Sequence, residues 1–389
     1  MSYRLALLSA IPLVPQGAGF ASLDLWVRDL QAQVGCTPQV TLFSPVQPQP
    51  PADWPGMQAL PDGIRVVDTQ RLSDADLQQA LRACDVVQLP GNFTLRKSAQ
   101  ARRFARAARR LGLPVVVGIS SDRARTLVMN AAGGSLLHRL RARLLAASVR
   151  LSQRALTARA DGTFIVGEGL RRLVSPRCAH LFVNTASWIS SGDILPLRAP
   201  LAADAPLRLC AAARLEPMKG IHLAIEAFAL LAGALPRRSM RLDIAGEGAQ
   251  ADELRALSVR RGVDDRTRLV GALKYPGPFL EFLDGQDVVV LTNLNDEQPR
   301  IVFDAICRGS LLVCPDSPVY RALGLPPAVL YERGNAQALA ERLRALACAE
   351  DTAALRQSLR ALVDEATIEG MHRRRRDWIV ADVLRTTYS

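Results

Sequence analysis

The feature that most constrains this chain is a rhythm: short apolar runs of strand character alternate with stretches of helical period along nearly its whole length. In the first half the runs are Arg4–Ser9, Gln39–Phe43, Asp85–Leu89, Pro114–Ile119, Gly162–Val166 and His180–Val183. A second series follows with Leu207–Ala212, Met240–Ala245, Thr267–Val270, Val288–Leu291, Leu311–Cys314 and Ala328–Tyr331. Between them lie helix-like stretches such as Ser22–Gln33, Ala75–Ala83, Ala99–Leu111, Ile221–Leu231 and Ala336–Ala347. Strand followed by helix, repeated, predicts parallel sheets covered on both faces by helices. Two series meeting at the Gly/Pro/Ala-rich stretch Ser190–Asp204 predict two doubly wound α/β domains. The length of 389 residues suits two such domains, and 49% hydrophobic residues supply a core for each. The Pro-rich piece Pro45–Pro61 reads as a surface loop.

No stretch approaches the roughly 18 uninterrupted apolar residues of a membrane span. The apolar start, Met1–Leu13, is cut by Pro12 and followed by Pro15, with no small-residue cleavage site, so it reads as a first buried strand. Seven cysteines are scattered without a CxxC or zinc spacing, which suits thiols in a reducing cytoplasm.

Charge is uneven. The formal net charge is +12, yet Arg96–Leu111 holds seven basic residues and Arg123–Arg159 eight arginines, neither with an acid. The excess therefore sits in the first half and points to an anionic partner: phospholipid, lipid phosphate or nucleic acid. Nucleic acid is the weaker reading, because aromatics are 5% and none interleaves these segments for stacking. At about 100° per residue, Leu137, Leu140, Leu144 and Leu151 share one stripe flanked by arginines. The plain reading of that stripe is a core-facing helix with a solvated basic edge; the other is a membrane-surface helix. His372–Arg376 forms another basic cluster, ahead of Trp378, Ile379, Val383 and Leu384.

Chemistry concentrates in the second half. Ala213-Arg214-Leu215-Glu216-Pro217-Met218-Lys219-Gly220 joins a strand end to a helix start. Backbone N–H groups and the helix dipole favour an anion there, with Arg214 as a fork and Lys219 as a point charge. A later stretch runs Asn295-Asp296-Glu297-Gln298-Pro299-Arg300-Ile301-Val302-Phe303-Asp304, ending in Ala305-Ile306-Cys307-Arg308-Gly309. Pro299 suits a first helical turn and Gly309 the helix end. Asp296 then precedes the helix and Asp304 lies within it, where a carboxylate can hold ribose hydroxyls.

In order and spacing these residues resemble the retaining glycosyltransferases of the GT-B architecture, family 4 type, also called glycosyl transferases group 1. The family pattern is Gly-Arg-Leu, three residues and Lys-Gly, then a carboxylate pair with seven residues between. Arg214, Lys219, Asp296, Asp304, Pro299, Ala305 and Gly309 fall in register, as do Leu242–Gly248 and Arg268–Gly271. The resemblance is good over residues 205–350 and loose over 1–195. Both glutamates of the pattern are aspartates here, and the N-terminal half lacks the histidine that many relatives carry. The stretches concerned are Val87–Gly91 and Gly118–Asp122, where serines and Asp122 stand instead.

The resemblance implies an α/β fold of two Rossmann-like doubly wound domains facing a central cleft. Residues 1–194 would bind the acceptor, joined by a crossover helix at 371–389, and residues 195–370 the donor. It implies Arg214, Lys219 and Asp296 as catalytic residues. Gly17, Gly19, Gln298, Pro299, Arg300, Ile301 and Asp304 would bind the donor. By the resemblance the two cations would hold the diphosphate and stabilise the leaving phosphate, Asp304 would hold the ribose, and Asp296 with the backbone amides of Gln298 to Ile301 would orient the sugar. No metal or other cofactor is implied, since the cations do that work. The donor would be a UDP- or GDP-sugar and the acceptor a glycan or lipid-linked hydroxyl. The place would be the cytoplasm, and the basic segments of the first half open a peripheral contact with the inner face of its membrane as a further reading. By the same resemblance, attack would come from the face the phosphate leaves, and the phosphate would take the acceptor proton. A nucleotide-dependent oxidoreductase does not fit, because Gly17-Ala18-Gly19-Phe20-Ala21-Ser22 lacks the third glycine. A sugar-nucleotide epimerase and a catalytically weak nucleotide-sugar-binding relative share the architecture.

Overall fold

The computed structural model describes residues 3–385 apart from 38, 53, 55, 203, 204, 350 and 364. It divides into two compact units, one running to Trp188 and resuming at Ile368, the other spanning Ile189–Thr367.

The first unit carries β1 (Arg4–Leu8), β2 (Val14–Gln16), β3 (Gly19–Leu23), β4 (Gln39–Ser44) and β5 (Met57–Ala59). It continues with β6 (Arg65–Asp68), β7 (Val86–Pro90), β8 (Val115–Ile119), β9 (Gly162–Val166) and β10 (His180–Asn184). Seven of these form one parallel sheet in the order β10-β9-β8-β7-β1-β4-β6. Successive side chains point to opposite faces of a strand, and the core divides accordingly. Leu5, Leu7, Val86, Val116 and Phe164 pack into one cluster. Ala6, Leu8, Val87, Leu89, Val115 and Val117 pack into the other, with Phe104 of the helix Ala99–Arg110.

Three segments singled out in the sequence take a definite form here. Pro45–Pro61 is not all loop: β5 pairs antiparallel with β3, which pairs with β2 to make a small second sheet. The basic cluster His372–Arg376 is partly interior, with His372 and Arg375 buried in the helix Ile368–Trp378. His372 Nε2 lies 3.1 Å from Asp29, and the Arg375 guanidinium sits 4.6 Å from the Phe164 ring centroid. This C-terminal segment closes one face of the sheet, Trp378 stacking on Phe182 with centroids 5.4 Å apart. Gly162 makes room for it, since a Cβ there would meet Trp378 and Val383 at 2.8 Å. Third, the leucine stripe faces outward. In the helix Leu136–Thr157 the buried residues are Ala142, Ala146, Val149, Ser152, Gln153, Leu156 and Thr157, while Leu137, Leu140, Leu144 and Leu151 are exposed. Helical period alone cannot choose between two apolar faces, and the one with small side chains packs inward.

The second unit carries β11 (Leu207–Ala212), β12 (Met240–Ala245), β13 (Thr267–Gly271), β14 (Val288–Val290), β15 (Leu311–Asp316) and β16 (Leu330–Glu332). All pair in parallel in the order β13-β12-β11-β14-β15-β16. Counted along this unit the order is 3-2-1-4-5-6, the doubly wound arrangement of dinucleotide-binding folds. The described part of Ser190–Asp204 is packed on this unit. Leu195 N–H donates to Cys307 O, Arg198 donates to Gln286 O and Leu283 O, and Leu201 N–H donates to Thr352 Oγ1.

Candidate functional site

In a doubly wound sheet the strand order reverses beside the first strand, and the loops leaving the carboxyl ends there diverge and open a crevice. In the second unit that point lies between β11 and β14. Sequence reasoning placed its cations after β11 and its carboxylates after β14, and the structure joins the two loops.

The loop after β11 is held from one side by the loop after β12. Ala213 N–H donates to Ala245 O (3.1 Å), Leu215 N–H to Glu247 O (2.8 Å) and Gln250 N–H to Leu215 O (3.2 Å). Such close backbone approach demands glycine opposite. A Cβ on Gly246, at φ +136°, would lie 1.9 Å from Ala213 O, and one on Gly248 2.5 Å from Leu215 O.

From the other side the loop after β14 hooks the turn Pro217–Lys219. Thr292 Oγ1 donates to Lys219 O (2.7 Å) and Leu294 N–H to Met218 O (2.9 Å). Met218 is fully buried beneath the turn, and Gly220, at φ +63°, opens the helix Ile221–Ala234. The consequence is a lysine whose backbone cannot drift. Its side chain is 14% exposed, with Nζ 3.9 Å from Glu297 Oε2. Burial pushes the Lys219 ammonium below its ordinary pKa, Glu297 and Glu216 pull it up, and Arg214 and Arg300 add to the fall. Arg214 differs: its side chain is 67% exposed and its guanidinium pairs with Glu216 at 2.6 Å.

Asp296 precedes the helix Ile301–Cys307 and forms an ion pair with Arg333, just after β16. Gln298 is buried and Arg300 exposed. Pro299 has no N–H, so amide donation over this turn is confined to Gln298, Arg300 and Ile301, narrower than expected from the sequence. Asp304 sits in the helix, 4% exposed, and accepts from the Tyr275 hydroxyl at 3.3 Å. Asn295 is 1% exposed, and neither atom of its amide finds a hydrogen-bond partner among the described residues. An unsatisfied buried amide costs about 1–3 kcal/mol. Sequence reasoning missed Asn295, Glu216, Glu297, Thr292, Arg333 and Tyr275. Only Glu216 and Glu297 carried a signal, each being an acid within two residues of a proposed site residue. Among the described residues no group of three His, Cys, Asp or Glu side chains could hold a metal ion.

Gly17 and Gly19 belong to the first unit. Gly17-Ala18 is the two-residue turn between β2 and β3, with Gly17 at φ +58° as a tight hairpin requires and open space around both glycines. In the same unit Asn92 hydrogen-bonds the Ser120 hydroxyl (2.7 Å) at the ends of β7 and β8. Asp122 is 2% exposed, accepts from Arg125 N–H at 2.9 Å and pairs with Arg172. It therefore works as a helix cap and ion-pair partner.

Residues 197–360, the part that holds these loops, match the family of glycosyl transferases group 1. No curated protein matches the chain by sequence. Solved structures resemble it over nearly full length. Sucrose-phosphate synthase from Thermosynechococcus elongatus gives a TM-score of 0.64 at 15% identity, covering 97% of this chain and 98% of that one. WaaG, a glycosyltransferase involved in lipopolysaccharide biosynthesis, gives 0.63 at 14%, covering 97% and 100%. HepE of Anabaena in complex with UDP gives 0.62 at 16%, covering 97% and 99%. At such identities the likeness is one of fold: the α/β GT-B fold with two Rossmann-like domains.

Proposed function

We propose that the chain is a retaining, metal-independent glycosyltransferase that takes its sugar from a UDP- or GDP-sugar and passes it to the hydroxyl of a glycan or lipid-linked acceptor. The observation that carries this reading is the hook of Thr292 and Leu294 on the turn Pro217–Lys219, which sets a buried ammonium at the switch point of a doubly wound sheet. The family match over the same residues supports it. So does the UDP held by a neighbour of the same fold.

The chemistry follows from charge. Breaking the bond between the anomeric carbon and the phosphate oxygen leaves that bond's electron pair on the phosphate. Lys219 and Arg214 are the cations that offset it, and fixed charges of this kind usually supply the largest catalytic term. The acceptor oxygen bonds to the anomeric carbon on the face the phosphate leaves, and its proton passes to the departing phosphate oxygen. Asp304 takes the ribose. Asp296, with the amides of Gln298, Arg300 and Ile301, orients the sugar. Gly17 and Gly19 are assigned to the donor on the family resemblance alone, and the first unit binds the acceptor.

A thermal-shift screen of UDP, GDP and their sugars tests the assignment, because a ligand that binds only the folded state raises its melting temperature by mass action. We expect one nucleotide to stabilise the chain and its sugar form to be turned over in the presence of EDTA. Stabilisation by no nucleotide would overturn the donor site. Activity abolished by EDTA and restored by Mg²⁺ or Mn²⁺ would overturn the metal-free mechanism. Epimerised donor or free sugar formed at the same rate with and without acceptors would make the chain an epimerase.

A further inference from the structure

The helix Leu136–Thr157 is amphipathic in the wrong direction for a helix that only packs. Its buried face is lined by Ala142, Ala146, Val149 and Leu156. At about 100° per residue, Leu140, Leu144 and Leu151 lie on the opposite side. They are 52%, 65% and 57% exposed, with Leu136 and Leu137 at 75% and 77%. The stripe from Leu136 to Leu151 is about 23 Å long at 1.5 Å per residue. Scattered exposed leucines need no explanation, but five on one face of one helix form a contiguous apolar surface. Arg139, Arg143, Arg150 and Arg154 run along one border and Arg141 along the other, all exposed. No acid occurs between Asp122 and Asp161.

We propose that this face is a docking surface for an anionic lipid bilayer, lying in the plane of the membrane with its leucines among the acyl chains and its arginines on lipid phosphates. Charge complementarity chooses this occupant. A second copy seated on the stripe would bring two rows of arginines together without one carboxylate to offset them. A bilayer of anionic lipid offers apolar depth under the leucines and phosphates at the height where arginine side chains emerge. No helix among the described residues is long and apolar enough to cross a membrane, so the contact is peripheral. The inference stands apart from the proposed glycosyl transfer, since binding is read without any substrate.

The test is co-sedimentation of the full chain with phosphatidylcholine vesicles, alone and mixed with phosphatidylglycerol. Binding is expected only with the anionic lipid and should weaken as the Debye length falls from about 10 Å at 0.1 M salt to about 3 Å at 1 M. The triple variant Leu140→Ser/Leu144→Ser/Leu151→Ser and the variant Arg139→Gln/Arg143→Gln/Arg150→Gln should each lose at least about tenfold in partitioning. Their melting temperatures should stay with the parent, because every altered side chain is exposed. Should the triple variant fail to fold, Leu144→Trp replaces it: its added fluorescence should shift to the blue on anionic vesicles and be quenched by brominated acyl chains. No binding at low salt, or binding that ignores the leucines, overturns the proposal. A concentration-dependent dimer that the leucine variant abolishes, without vesicle binding, hands the face to a second copy and also overturns it.

Discussion

Replacing Gly220 by alanine should separate the position of the Lys219 charge from the charge itself. Gly220 has φ +63°, and an added Cβ would lie 2.4 Å from the Thr292 carbonyl oxygen. That is about 1 Å short of an ordinary C···O contact of ~3.3–3.6 Å. The left-handed conformation costs a residue with a Cβ about 1–2 kcal/mol. Relieving the clash pushes apart the two loops that the Thr292–Lys219 hydrogen bond joins (2.7 Å), worth about 1 kcal/mol. The sum is about 2–3 kcal/mol, which lowers the melting temperature of a unit this size by about 4–12 °C. The ammonium remains, but displaced by up to about 1 Å, and such a displacement of a catalytic group costs on the order of a hundredfold in turnover. Thermal melts and donor turnover at 25 °C, well below the transition, measure both. Gly233→Ala is the control: it lies late in the helix Ile221–Ala234 with nothing near its Cβ, and should be neutral or slightly stabilising. If Gly220→Ala melts with the parent and keeps its turnover, the hook does not position Lys219 and the argument fails.

Three further outcomes follow from the same geometry. Lys219→Ala and Arg214→Ala should each lower turnover by about two orders of magnitude or more with the fold intact by circular dichroism, the loss of one transition-state donor costing roughly 2.7–4 kcal/mol; near-normal kcat in both removes the phosphate assignment. Asp304→Asn should mainly weaken nucleotide binding and Asp296→Asn mainly lower kcat, since a ribose contact is alike in ground and transition states; calorimetric titration with free nucleotide showing the reverse exchanges the two roles. Burial, with Arg375 adding and Asp29 opposing, holds the His372 imidazole below its ordinary pKa of 6.5. As pH falls below that value the unfolded chain takes a proton that folded His372 refuses, so stability drops by up to about 1.4 kcal/mol per unit until the folded pKa is reached. Urea melts between about pH 7 and 5 should show a shallower slope for His372→Gln, and an unchanged slope would mean that the fold does not lower the pKa of His372.

Most of the sheet framework was legible because buried parallel strands are continuous apolar runs. The runs at Gly162–Val166, Leu207–Ala212 and Met240–Ala245 are strands with those bounds. What escaped was short or two-faced. The strand β2 is Val14-Pro15-Gln16, and proline is tolerated there because β2 is an edge strand of a three-stranded sheet. The strand β5 hides in a proline-rich stretch and has no buried residue. The leucine stripe was visible as a period, but its direction was set by the smaller residues opposite. At the site, Arg214, Lys219, Asp296 and Asp304 could be chosen by residue type and spacing. The hook that fixes Lys219 is built from a threonine hydroxyl and a backbone N–H donating to two backbone carbonyls, and backbone partners leave no mark in a sequence.

The two cations of the proposed donor site differ in how they are held. Each is paired with a carboxylate, Arg214 with Glu216 and Lys219 with Glu297. Without those acids, two like charges at one loop would repel and one would be buried without compensation. The Arg214 side chain is exposed to solvent, and exposed pairs contribute about 0–1 kcal/mol, so on the proposed reading a diphosphate would displace Glu216 at little cost. Lys219 lies deeper and farther from its acid, at 3.9 Å, and its ammonium is less hydrated before a donor arrives. A charge already stripped of much of its water gains more from an incoming phosphate than one that must first be desolvated. On the proposed reading Arg214 would capture the diphosphate from solvent, and Lys219 would offset the charge that develops as the sugar leaves.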